Sequence, residues 1–165
     1  MRILDASNDA EVAALEAVLR GIEGWSMDIL AWEARWPLAA YRAHGPEMVG
    51  ARIHDLLKRA EGMTPDIYMA AVAARQALRD RVAAFAGRVD GFVMLASSGP
   101  AVQDHAWTGS RHYPTPWTLA AGPAFSLPVL AAEELPLGLQ VAGFIDTDAE
   151  TCAVSAFVRD TLLPR

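Results

Sequence analysis

The 165-residue sequence has a single cysteine, Cys152, and a single lysine, Lys58, and it contains no long uninterrupted apolar run. A lone cysteine cannot close an internal disulfide, so any fold must hold together without one. Apolar stretches such as 92–96 and 127–132 fall far short of the roughly 20 residues that a membrane-spanning helix needs. The opening residues MRILDASNDAEVAAL lack the apolar centre of a secretory signal, and a cytoplasmic protein is expected. Cations are also scarce, with 14 Lys and Arg against 20 Asp and Glu for a formal net charge of −6. Nucleic acids and anionic membrane surfaces call for clustered Lys and Arg, so neither is an expected partner. Proteins and small molecules remain.

Apolar residues, by contrast, are plentiful: 53% of the chain is hydrophobic and 21% charged, with a mean hydropathy of +0.17. That balance excludes a disordered chain and offers more apolar surface than one small domain readily hides. The length suits a single domain over 1–165, with 1–89 mostly helical and 90–165 strand-rich.

Periodicity orders the elements. MRIL reads as a very short strand, and Asn8 or Asp9 caps a helix carrying Val12, Leu15, Val18, Leu19 and Ile22. WSMDI alternates weakly as a strand would, and the following LAWEARWPLAAYRAH reads as a helix interrupted or entered at Pro37. Met48, Val49, Ile53, Leu56 and Leu57 give another helix over 46–59, and the longest runs from Pro65 to about Ala86 with no internal Pro or Gly. VDGFVML is short enough for a buried strand, and the aperiodic ASSGPAVQDHAWTGSRHYPTPW reads as a long loop. Two apolar runs joined by a turn at 132–135 predict a hairpin, and a last helix spans about 148–163 with Ala149, Cys152, Ala153, Ala156 and Phe157 as its apolar set. Together these predict an α/β fold with 90–95, 124–130 and 137–143 in one sheet, covered by the helix from Pro65.

From Asp90 onward the chain resembles the closing part of the amidase-signature family. The resemblance rests on DGFVML followed by a Pro-containing loop, the Thr108–Gly109 pair, and WTLAAGPAFSLP with Trp117, Thr118, Pro123, Ala124, Ser126 and Pro128 in register. Leu135, Pro136, Gly138, Leu139, Gln140 and Gly143 then match a further family strand. Ala121 stands where the family usually has glycine, which appears one place later as Gly122. Within 1–89, Pro65, Tyr68, Ala71 and Arg75 fit a family helix pattern. The resemblance implies a mixed sheet covered by helices, as in the C-terminal part of that fold, and amide hydrolysis by a serine nucleophile, a bridging serine and a lysine base. It also implies that the loop residues Trp107, Thr108, Tyr113 and Trp117 line a substrate pocket.

The residues for that chemistry are not in this sequence: there is no Gly- and Ser-rich segment, and Lys58 lies on a charged helix face. An exposed lysine of ordinary pKa is a poor base at neutral pH. No catalytic residue is therefore assigned within the chain, and no metal or cofactor is expected. Ser97 and Ser98 follow a strand without a nucleophile-elbow pattern and suit loop capping. Asp104, His105 and His112 match no metal-ligand spacing, and Asp146, Asp148 and Glu150 suit a helix N-terminus better than a calcium loop. Cys152 reads as a small core residue, and Trp25, Trp32 and Trp36 as core or interface packing.

Three functions follow. The chain is a C-terminal part or subunit of an amidase-type hydrolase acting on carbon–nitrogen amide bonds, an enzyme only when a Ser- and Lys-bearing N-terminal portion is supplied and inactive alone. Its partners would be a small-molecule amide and a complementary N-terminal amidase chain. Alternatively it is a non-enzymatic pseudo-amidase that associates as a homo-oligomer. The third option is a small hydrolase built on Asp104 and His105.

Overall fold

The computed structural model of the chain describes residues 2–104 and 107–163. These fall into two compact units, one made of 1–22 with 78–165 and the other of 23–77. The strand-rich part anticipated over 90–165 thus lies wholly in the first unit, together with the N-terminal helix and the stretch 78–89.

In the first unit, helix α1 (Ala10–Arg20) starts where the Asp9 carboxylate accepts hydrogen bonds from the Glu11 and Val12 amides. This settles the cap on Asp9 and satisfies two of the orphan donors at the helix start. Residues 2–5 form no strand, because Asp5 is committed to a turn with Ser7 and Asn8. Arg88 ties α1 to the chain that leads into the sheet, pairing with Asp9 and Glu11.

Three strands, β1 (Phe92–Leu95), β2 (Ala124–Ala132) and β3 (Leu135–Ala142), form one sheet in the order β1-β3-β2. Both ladders are antiparallel, so the sheet is not mixed in strand direction, and the cover expected from the helix that starts at Pro65 is supplied along the strands by the C-terminal helix instead. Cross-strand pairs put Phe92, Met94, Gln140, Ala142 and Ser126 on one face, with Val93, Leu95, Leu139, Val141 and Phe125 on the other. Helix α6 (Asp148–Leu162) lies against β2 and β3.

The core of this unit is aromatic. Phe92 touches Phe85, Trp117 and Phe144 at centroid distances of 5.6, 4.8 and 5.6 Å, an arrangement that adds ring geometry to area burial. Leu78 and Val82, at the end of helix α4 (Pro65–Ala83), are buried with Phe85. Arg79 Nε donates to the Leu119 carbonyl at 2.9 Å, fastening α4 to the short helix α5 (Thr115–Ala120).

The apolar set anticipated for α6 is not its buried face. Thr151, Ser155 and Val158 are buried, whereas Cys152 and Phe157 are exposed. The helix carries a second 3.6-residue stripe, at 151, 154, 155 and 158, with polar members that bond internally: Thr151 Oγ1 to the Thr147 carbonyl and Ser155 Oγ to the Thr151 carbonyl. Once those hydroxyls are satisfied they can be buried, and the more apolar stripe is left outside.

The second unit is helical. WSMDI forms no strand but belongs to helix α2 (Ile22–Ala43), which also contains Pro37 in its interior. Met27, Ala31, Ala34 and Leu38 recur at helical spacing and pack on Leu56 and Ala60 of helix α3 (Ala51–Glu61). The weak alternation at 25–29 was overridden because Ser26 Oγ satisfies itself on the Glu23 carbonyl while the longer period buries more apolar area. Arg59 and Arg42 link α3 to α2 through Asp28 and the Gly24 carbonyl, and through Glu61. Trp36 is 74% exposed and is not a core residue.

Candidate functional site

The two stretches that carry the sequence resemblance fold against each other. Ser126 of β2 pairs with Gln140 of β3, and the Gly143 amide donates to the Pro123 carbonyl at 2.9 Å. Three glycines are needed for the approach. A Cβ on Gly138 would stand 2.2 Å from Ser126 Oγ and 2.9 Å from the Ala96 methyl, one on Gly122 would stand 2.4 Å from the Gly143 carbonyl oxygen, and one on Gly143 would stand 1.8 Å from Thr151 Oγ1. All are well inside van der Waals contact, so each position excludes a side chain for reasons of space.

Ala121, at the position where the resembled motif has glycine, ends α5 in the left-handed conformation at φ 60° and ψ 25°. A C-terminal left-handed residue is the usual helix stop, and glycine takes it without a Cβ penalty. The motif therefore needs two special positions, one for conformation at 121 and one for closeness at 122, and this sequence supplies glycine only at the second.

Of the four residues proposed for a pocket, the sheet anchors two. The Trp117 indole is buried, packs on Phe92, and directs Nε1 to Met94 Sδ at 2.7 Å. The Tyr113 carbonyl accepts from Gln140 Nε2 at 3.3 Å, and its ring meets His112 edge-on. Met94 and Gln140 are cross-strand partners, so the loop end carrying Tyr113 and the helix carrying Trp117 dock side by side on one sheet face. Trp107 and Thr108 are exposed on the preceding loop. Gln140, 94% buried yet satisfied by that carbonyl, is the anchoring residue that a list of aromatic candidates does not single out; its signal was an uncharged polar residue inside an apolar strand run.

The remaining candidates are dispersed. Ser97 Oγ donates to the Gly99 carbonyl, a loop cap. Lys58 is exposed on α3. His105 lies outside the described residues, and among those described no three His, Cys, Asp or Glu side chains gather as a metal would require. No described helix is long and apolar enough to cross a membrane. Asp148 and Glu150 occupy the first turn of α6, where the helix dipole favours negative charge.

The fold is similar to part of the fold of amidase-signature enzymes. An amidase matches 88% of this chain and 36% of its own, at TM-score 0.73 and 24% identity. A bacterial aryl acylamidase of the amidase-signature family matches 86% of this chain and 33% of its own, at TM-score 0.65 and 13% identity. A 6-aminohexanoate cyclic dimer hydrolase complexed with substrate matches 90% of this chain and 41% of its own, at TM-score 0.58 and 14% identity. The chain spans between a third and about two fifths of the length of these structures. No sequence-family profile matches it, and no curated protein matches it in sequence.

Proposed function

We propose that this chain is the C-terminal part of an amidase-type hydrolase of carbon–nitrogen amide bonds, which turns over substrate only when a Ser- and Lys-bearing portion is joined to it. The observation that supports this most is the interlocking of Gly122, Ser126, Gly138, Gln140 and Gly143, which gives the sequence resemblance a three-dimensional reason. The fold shared with an amidase, an aryl acylamidase and a cyclic dimer hydrolase supports the same reading.

In this reading Trp107, Thr108 and Tyr113 face the amide substrate, whereas Trp117, expected with them in the pocket, is buried and instead holds their loop through Met94 and Phe92. The nucleophile and base come from the joined portion, in the same polypeptide or in a second chain. The isolated 165-residue chain is expected to release no product from simple aryl or alkyl amides, as measured by amine release. Turnover that survives Lys58→Ala and disappears with His105→Ala would instead establish a hydrolase built on the 104–105 loop.

The same reading predicts association. Both outer strands keep one unpaired edge among the described residues, and Val93, Ile145 and Phe157 are each more than half exposed in the same unit. Open edges and apolar patches favour pairing with another chain. A complementary amidase portion or a second copy is expected to bury at least about 1,000 Å² in total, the lower bound for a specific interface.

A further inference from the structure

In the helical unit, a groove between α2 and α3 is lined by Arg35, Trp36, Ala39, Arg42, Leu57 and Glu61, with Ala60 at its base. Its cations differ in kind. Arg42 is held by Glu61 at 2.9 Å. Arg35 has no carboxylate partner among the described residues; its guanidinium instead lies 3.3 Å from the Trp32 ring centroid and 5.5 Å from that of Trp36. Trp32 is itself stacked on Tyr68 at 5.3 Å with the rings 12° apart, and the Tyr68 hydroxyl donates to Glu33. The stack holds the Arg35 plane while leaving its N–H edge free of any acid, the state in which a guanidinium best accepts an incoming carboxylate.

We infer that this groove binds a small monocarboxylate with a flat apolar body, its carboxylate on Arg35 and its body between Trp36 and the Ala39, Leu57 and Ala60 floor. Charge selects the class. Two arginines and one glutamate leave one net positive charge in the groove, which a monoanion neutralises, whereas a second negative charge would meet Glu61. Apolar floor residues beside an exposed indole favour a hydrophobic ring or short chain over a compact inorganic anion. The inference uses residues of 23–77 only and stands whether or not the chain hydrolyses amides.

The test is a titration of the ¹⁵N-labelled full chain with 3-phenylpropionate, following the tryptophan indole N–H signals and the backbone amides. Saturable shifts are expected at Trp32, Trp36, Ala39 and Leu57, with a Kd on the order of 1 mM, as befits one ion pair and one ring contact in an open groove. The neutral 3-phenylpropionamide and the dianionic phenyl phosphate should each bind at least about 5-fold more weakly. Arg35→Gln should weaken the acid about 10-fold, and Glu61→Gln, which frees Arg42 while removing only a surface pair, should tighten it about 3-fold. Absence of saturation, an amide that binds as well as the acid, or an affinity unchanged by Glu61→Gln would overturn the assignment; the last does so even if Arg35→Gln disturbs the Trp32 stack.

Discussion

At position 121 a β-carbon sits in a conformation that suits glycine, and at position 122 a glycine sits where no β-carbon fits. The left-handed conformation costs a non-glycine residue on the order of 1 kcal/mol. Ala121→Gly should therefore stabilise the chain by about 0.5 kcal/mol, part of the gain being offset by the freer unfolded chain, and Gly122→Ala should destabilise it; denaturant melts of both variants measure the difference. The sequence revealed that the motif's glycine had moved by one place but not that two separate demands were involved, because one is a dihedral angle and the other a distance to Gly143, 21 residues further along.

Asp9 provides a pH test at the same scale. Its carboxylate is held below the ordinary 3.8, foremost by the Val12 amide, then by the Glu11 amide and Arg88, with partial burial acting the other way. A folded-state pKa lower than the unfolded one stabilises above the unfolded value, and that contribution is lost as pH falls through the lowered folded value. Asp9→Asn keeps a capping oxygen but not the charge. Its melting temperature should lie below that of the parent at neutral pH, and the gap should close as the pH drops below 3.8; a gap constant with pH would contradict this.

Among the elements, the hairpin of β2 and β3 was legible because two apolar runs flank a short polar turn. Its geometry was not legible: Glu133 and Glu134 both take positive φ, 53° and 62°, as a two-residue hairpin turn of right-handed strand twist demands, although Asn-Gly is the usual choice there. Replacing the pair by Asn-Gly should stabilise the chain by about 1 kcal/mol, by relieving two left-handed residues and the adjacent like charges. Calorimetry of the double variant decides it. Helix α6 was placed well along the sequence but turned to the wrong face, since hydrophobicity alone ranks Cys152 and Phe157 above Thr151 and Ser155. Internal hydroxyl bonds reverse that order. Cys152 of the isolated chain should accordingly react with a thiol reagent under native conditions as fast as in denaturant, within about 10-fold; a thiol unreactive until unfolding would restore the core assignment.

For the whole molecule, sequence reading placed the strand-rich segment and the family resemblance, both carried by residues near one another in the chain. The recruitment of 1–22 and 78–89 into the unit that holds the sheet was out of reach, because it depends on long-range partners such as Arg88 with Asp9 and Arg79 with the Leu119 carbonyl. The pocket role of Trp107, Thr108 and Tyr113 rests on the proposed complex, since in this chain two of the three stand open to solvent.

If this chain is one part of a larger hydrolase, as proposed, it keeps surfaces that the rest would cover. Equilibrium sedimentation of the purified chain at tens of micromolar tests this most directly. The expected species is a dimer, or a complex with a co-purifying chain, whose mass exceeds the 17.7 kDa of a single copy. A homogeneous 17.7 kDa species across that range, with no bound partner, would show that the open edges of the sheet need no cover, and would rule this out.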